Sequence, residues 1–323
     1  MRLPEELRAA IEQETAKVDR RTLARAVAEL TQSYRSGTLS APAIRSEAHR
    51  VAYLATRLPA TYASCYRALS EIQRFASQAS VGSMLDLGAG PATAMWAAAE
   101  LFPGLAQATL VESDEAWVRI GKRLAFESRH EQLHQAQWKA ADLTQTEKYA
   151  RHDLVVVSYV LGELTPAVAE DLISRAWSAA GQFLVIIEPG TPRGFSAVLA
   201  ARTSLIAGDA QILAPCPNRL VCPMAAAGDW CHFSQRVERT SLHRQLKAGA
   251  LSYEDEKFSY LIASRHTASP GMARIVRHPR KNPGHVQLTL CSAGQIERRT
   301  ITRSEKQQYK LARRAEWGDV WQP

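Results

Sequence analysis

No apolar run in this chain of 323 residues approaches the roughly 18 that a membrane-spanning helix needs, so the chain reads as soluble. Met1 to Val18 mix Arg2, Arg8 and Lys17 with Glu5, Glu6, Glu12 and Glu14, an acidity that transit peptides lack. No signal-peptide core follows, and a bacterial cytoplasm is the expected compartment. Cysteine is scarce, five in all. The tight pairs of a zinc ribbon, with about two to four residues inside each, are missing altogether. Internal repeats and low-complexity tracts are absent as well.

What is present is organised in thirds. Up to about residue 80, Leu3, Leu7, Ile11 and later Leu23, Ala26, Val27 and Leu30 recur at three and four, a helical period. Ser36-Gly37-Thr38, Pro42 and Pro59 punctuate this N-terminal helical cap. From Ser83 onward short apolar strands alternate with helices, the signature of a parallel α/β sheet. Residues 84–87, 108–112, 137–140, 154–158 and 182–188 are its expected strands. The segment 189–245 reads as loop with a short helix, and 258–264, 273–277, 286–291 and 296–302 as further strands. Expected regions are therefore 1–80, helical; 81–205, the cofactor-binding sheet; and 206–323, cysteine-rich and β-rich.

Asp86-Leu87-Gly88-Ala89-Gly90-Pro91-Ala92 follows the first strand and opens the helix expected over Thr93 to Leu101. Glycines let the backbone turn sharply against a ligand, and the helix N-terminus offers free N–H groups. Glu112, at the end of the next strand, is placed to accept both ribose hydroxyls of a nucleoside. The third glycine of G-x-G-x-x-G is missing and an acid precedes the loop, which favours S-adenosylmethionine over a dinucleotide. The expected cofactor set is Asp86, Gly88, Ala89, Gly90, Pro91, Glu112, Asp142 and Ser158. Asp142 would meet the adenine amino group, or else simply cap a helix. After the fourth strand the chain reads Ser158-Tyr159-Val160-Leu161-Gly162-Glu163-Leu164, without the Asn/Asp-Pro-Pro-aromatic signature of amine methylation. No cytosine-type cysteine nucleophile stands there either, and Glu163 is the one acid/base candidate by position.

Cys216, Cys222, Cys231 and Cys291 are separated by five, eight and fifty-nine residues, and two of them precede proline. Three thiolates from one irregular loop, a distant fourth and stiff Cys-Pro steps suit iron–sulfur ligation; unlinked core cysteines are the plain alternative. Four cysteines would close a cluster, which points to a structural or redox-sensing part rather than radical chemistry. From Arg265 to Pro323 there are twelve Lys/Arg against four Asp/Glu. With Tyr309, Trp317 and Trp321 interleaved, the block suits a nucleic-acid surface, or else a merely solvated face.

Taken together, Tyr53 to Tyr62, Leu85 to Pro91, Ile187 to Pro192, Ala214 to Pro217, Asp229 to Phe233 and Tyr253 to Tyr260 resemble one family. It is the methyltransferase-like family of the mitochondrial small ribosomal subunit, which has bacterial members and includes the animal methyltransferase-like protein seventeen. The likeness covers nearly the whole chain, and the cysteine block is its most specific part. It implies a class I, Rossmann-like methyltransferase fold followed by a four-cysteine iron–sulfur site on Cys216, Cys222, Cys231 and Cys291. The expected cluster is 4Fe–4S, with zinc as the alternative metal. It also implies action on small-subunit ribosomal RNA or an assembly intermediate, as an assembly factor or an rRNA methyltransferase. The rival expectations are a non-catalytic RNA-binding module with a relic pocket, and a methyltransferase acting on another RNA or on protein. A monomer with no membrane partner completes the reading.

Overall fold

A computed structural model describes residues 1–35, 43–145, 148–247, 251–266 and 273–322. Ser36-Gly37-Thr38 and Pro42 lie outside them. Helices Glu5–Ala16, Arg20–Arg35, Glu47–Thr56 and Leu58–Phe75 come first. In Leu58–Phe75, Leu58, Tyr62, Cys65, Leu69 and Ile72 recur at three and four and are all buried. This face packs on helix Thr93–Leu101.

The main sheet contains β1 (Ser83–Leu87), β2 (Gln107–Glu112), β3 (Gln137–Ala140), β4 (His152–Ser158), β5 (Ala180–Pro189), β6 (Gln211–Ala214), β7 (Phe233–Glu238) and β8 (Tyr253–Ser264). Its order is β3-β2-β1-β4-β5-β8-β6, with β7 beside β8. Neighbours among β1 to β5 run parallel, and β8 enters antiparallel to β5, β6 and β7. This is the strand order of the class I S-adenosylmethionine-dependent methyltransferase, a Rossmann-like α/β fold. Both faces are covered, and alternate residues separate two cores. Met84, Leu154, Val156, Phe183, Val185 and Ile262 enter the one that holds Leu69 and Trp96. Leu85, Val155, Val157, Leu184, Ile186 and Leu261 enter the other, with Leu172 and Val198.

One expectation fails here and another is extended. Residues 189–245 are not loop with a short helix: helix Pro192–Ala207 spans sixteen of them, and β6 and β7 follow. The strand expected at 258–264 begins at Tyr253 and belongs to the main sheet, so that sheet runs on past residue 205.

A second sheet collects β9 (Ala273–Ile275), β10 (Arg280–Asn282), β11 (His285–Ser292), β12 (Gln295–Thr302) and β13 (Val320–Trp321). β11 and β12 form a hairpin in which Ser292 faces Gln295. Ala293 and Gly294 both take positive φ, as a two-residue turn between twisted strands requires. Val286, Leu288, Leu290, Ile301 and Trp321 close on Ala312 of helix Lys306–Arg314.

Candidate functional site

At the carboxyl ends of the parallel strands the backbone after β1 folds back on β2: the N–H groups of Gly88 and Ala89 both donate to the Val111 carbonyl. Glu112, last in β2, accepts from Gly90 N–H at 2.8 Å on one carboxylate oxygen and from Asp114 N–H at 2.8 Å on the other. The loop and the carboxylate thus fix each other. Gly88 (φ +76°) and Gly90 (φ +54°) use the left-handed region for different reasons. A Cβ on Gly88 would come within 2.5 Å of the Val160 side chain, whereas one on Gly90 would meet nothing within 4 Å.

The loop borders a cavity of about 300 Å³. Gly88, Ala89, Gly90, Pro91, Glu112, Asp142, Ser158 and Glu163 all line it. Asp86 does not. It lies fully buried with both carboxylate oxygens unpartnered, and burial, then the nearby Glu112, pushes its pKa up to about 7. Asp142 accepts from the N–H and hydroxyl of Thr144, a local turn rather than an outstretched acceptor. Glu163 is exposed at the wall. The buried carboxylate of this region is instead Glu188, which accepts from Leu161 and Gly162 N–H; burial lifts its pKa to about 7.

The sequence reading missed the cavity's other wall. Tyr53, Thr61, Thr93 and Trp117 also line it, one each from helices Glu47–Thr56, Leu58–Phe75, Thr93–Leu101 and Glu115–Phe126. Tyr53 meets Trp117 edge-on at 5.3 Å, and Arg50 pairs with Asp114 at 2.5 Å. Tyr159, at φ +59°, turns its hydroxyl inward to Ser64 (2.9 Å) and to the Glu256 carboxylate (3.3 Å), which Arg57 also holds. The only signal for Tyr53 and Thr61 was their place in the Tyr53 to Tyr62 segment.

A second cavity, of about 40 Å³, lies between the two sheets, and Cys216, Cys222, Cys231 and Cys291 all line it. Cys216 follows β6, Cys222 precedes the short helix Pro223–Ala226, Cys231 precedes β7 and Cys291 sits near the end of β11. Burial raises the thiols of Cys216 and Cys231 and takes Cys291 up to about 12. The other three cysteines push Cys231 further in the same direction. Among the described residues, no three His, Cys, Asp or Glu side chains stand together in a way that would hold a metal ion. Cys65 is apart from the four, buried under the first cavity.

The basic C-terminal block divides. Arg274 is buried and pairs with Glu71 at 2.7 Å, Arg277 pairs with Asp229, and Arg265 donates to the Trp177 and Ala180 carbonyls. Arg280, Lys281, Arg298, Arg303, Lys306, Lys310, Arg313 and Arg314 are exposed. Of the interleaved aromatics, Trp321 is withdrawn from any stacking surface while Tyr309 and Trp317 are half-buried. Trp321 is core, Tyr309 packs against that core, and Trp317 meets His232 and His278 edge-on.

Among curated proteins, the chain is 27% identical over 297 residues to the human (Homo sapiens) "Ribosome assembly protein METTL17, mitochondrial", covering 85% of this chain and 63% of that protein. It is 25% identical to "Rsm22-cox11 tandem protein 2, mitochondrial" of Schizosaccharomyces pombe, over 84% of this chain and 43% of that one. It is 22% identical to "Ribosome assembly protein RSM22, mitochondrial" of Saccharomyces cerevisiae, over 53% and 44%. The chain therefore spans less than two thirds of the length of these relatives. Among solved structures, a putative RNA methyltransferase from Pyrococcus horikoshii overlaps at 12% identity and TM-score 0.43, covering 63% of this chain and 84% of that one. The fold stands on the strand order, not on this overlap. A family model described as "Mitochondrial small ribosomal subunit Rsm22" matches residues 47–322, and the chain belongs to that family.

Proposed function

We propose that this chain is an S-adenosylmethionine-binding, cluster-carrying assembly protein of the small ribosomal subunit, working as a monomer in a bacterial cytoplasm. The observation that carries the cofactor half is Glu112. Its carboxylate is held at the cavity by two backbone N–H groups and keeps lone pairs for the two ribose hydroxyls. The open side of Gly90 and the start of helix Thr93–Leu101 suit the amino-acid end of the cofactor. Calorimetry checks this: S-adenosylmethionine and its demethylated product bind and nicotinamide dinucleotides do not. A wild-type protein that binds neither sulfur nucleoside overturns the reading.

Binding is favoured over methyl transfer. Tyr159, the residue after β4, spends its hydroxyl on Ser64 and Glu256, and Glu163 is exposed at the wall, so neither is held as a base over an acceptor. Transfer of a labelled methyl group to small-subunit RNA or protein would favour the catalytic rival instead.

Four cysteines line one cavity, their spacing lacks the tight pairs of a zinc ribbon, and in a cluster each thiolate binds a different iron; this favours an iron–sulfur cluster over zinc. Cys216, Cys222, Cys231 and Cys291 would hold it, and when bound it would supply a redox-active cross-link between the sheets. Iron, sulfide and zinc analysis of anaerobically purified protein decides between the metals. Residues 1–80, 81–205 and 206–323 remain our functional division, with the cysteines and RNA face in the last.

For the RNA partner, the support is the relatives' names together with the exposed basic side chains of β12 and helix Lys306–Arg314. Each phosphate contact lowers log K by roughly 0.7 per decade of salt for single strands. Four such contacts would cost about two powers of ten in affinity over a fivefold salt increase. Reversing Lys310, Arg313 and Arg314 should flatten that slope and leave cofactor binding intact.

A further inference from the structure

Two arginines share the cysteine cavity with the four thiols, and neither was visible as a site residue in the sequence. Arg202, on helix Pro192–Ala207, is 6% exposed and Arg274, on β9, is 1% exposed. Arg202 donates through one terminal nitrogen to the carbonyls of Asn218 (3.0 Å) and Leu220 (2.8 Å), inside the loop that carries Cys216 and Cys222. Its Nε–H is buried without a partner. Arg274 donates to the Pro215 carbonyl at 3.0 Å, the Gly318 carbonyl at 2.8 Å and the Glu71 carboxylate at 2.7 Å. Its second terminal nitrogen is likewise buried and unpartnered.

The charge count around them does not close. Glu71 already receives Arg67 at 2.5 Å and stands 4.0 Å from Arg74, so one buried carboxylate serves three guanidiniums. Among the described residues no carboxylate is found within ion-pair distance of Arg202. Burying a guanidinium without a counter-ion is costly, and Arg cannot shed its proton to escape. Both arginines line the same cavity as the four cysteines, each with a buried N–H left over. Neutral thiols supply no negative charge; thiolates bound to a metal core do.

We propose that Arg202 and Arg274 are the internal counter-charge of the four-cysteine site. They hold its negative charge inside the protein, and through it they set how tightly the metal is kept and at what potential it is reduced. This rests on the cluster reading above. Their hydrogen bonds also position the ligand loop, so the test must separate charge from scaffolding.

Arg202→Met keeps most of the stem and loses the charge, and Arg202→Lys keeps the charge and loses the fork. Purified anaerobically, the Met variant should release iron to a chelator about tenfold faster than wild type, the factor that about 1.4 kcal/mol represents. Its midpoint in a spectroscopically monitored redox titration should move to more negative potential, because reduction adds negative charge with less compensation. Arg202→Lys and Arg274→Lys should stay near wild type in both. A Met variant that takes up no iron leaves the comparison with Arg202→Lys: retention by Lys supports charge compensation, and equal loss overturns it. A midpoint and release rate unchanged in Met, or changed equally in Met and Lys, overturns it too. Wild-type protein free of iron and zinc removes the cluster reading itself and this inference with it. Metal-loaded wild type with indifferent arginines removes the inference alone.

Discussion

The two cavities are made from different material. One wall of the cofactor cavity is main chain: a left-handed glycine loop, a helix start, and one carboxylate that the N–H groups of Gly90 and Asp114 hold in place. Its loop and carboxylate are bonded to each other before anything binds, and the Thr93 hydroxyl is the buried group on its wall left without a partner among the described residues. The cysteine cavity is made of side chains from several separate elements, with raised thiols and two guanidiniums that keep a donor unpaired. It is incomplete until filled. The first should therefore tolerate an empty state and lose binding when altered, and the second should lose structure when its occupant is lost.

The largest expected effect follows from that asymmetry. Cys231→Ser should abolish metal retention and loosen residues 210–300, because metal binding there is coupled to local folding. A melt and an iron analysis check it; unchanged stability with full metal content would erase the contrast. Glu71→Ala comes next. It strands Arg274 without its carboxylate and should cost about 3–5 kcal/mol in denaturant unfolding, most of it recovered in the double variant with Arg274→Met.

Asp86 sharpens the comparison from the other side. Its folded pKa, near 7, lies above the ordinary 3.8, so the fold prefers the protonated form. That preference is present in full below about 3.8 and is lost as pH rises through about 7. Asp86→Asn should gain on wild type between pH 4 and 8, reaching roughly 2–4 kcal/mol, as pH-dependent melts would show. Parallel curves would mean that the acid is compensated. Smallest in stability but clear in binding, Glu112→Ala should weaken S-adenosylmethionine roughly 30-fold or more, from about 2 kcal/mol of charge-assisted hydrogen bonding. Its melting temperature should fall far less than that of Cys231→Ser.

The main-chain wall was the legible one, because its parts are local. Strand, glycine turn, helix and the acid of the next strand follow one another, and β3 and helix Thr93–Leu101 fall where periodicity puts them. Asp86 shows the limit, since its place in the motif says nothing of its being sealed behind the loop. Helix Pro192–Ala207 was hidden by Pro192 and Gly194, which read as loop. In the fold Pro192 opens the helix and the Thr191 side chain accepts from Gly194 N–H, so both residues serve a helix start. Position β8 in the main sheet and Arg274 beside Cys291 depend on pairings across long stretches of chain, which no local pattern encodes. In the basic tail, charge and aromatic content could not reveal that Arg274 and Trp321 face inward while most of the other basic side chains are exposed.

Strand β8 adds a mechanical consequence. Glu256, near its start, takes the Tyr159 hydroxyl at the cofactor cavity, and Ser259, three residues on, donates to the Cys231 carbonyl at 2.8 Å. One pleated segment thus has a hand on each chamber. With β5, β6 and β7 bonded along its length, it cannot slip at one end alone. Amide exchange along 256–259 should slow when either chamber is filled, making this short stretch a common gauge of occupancy for two ligands that never touch.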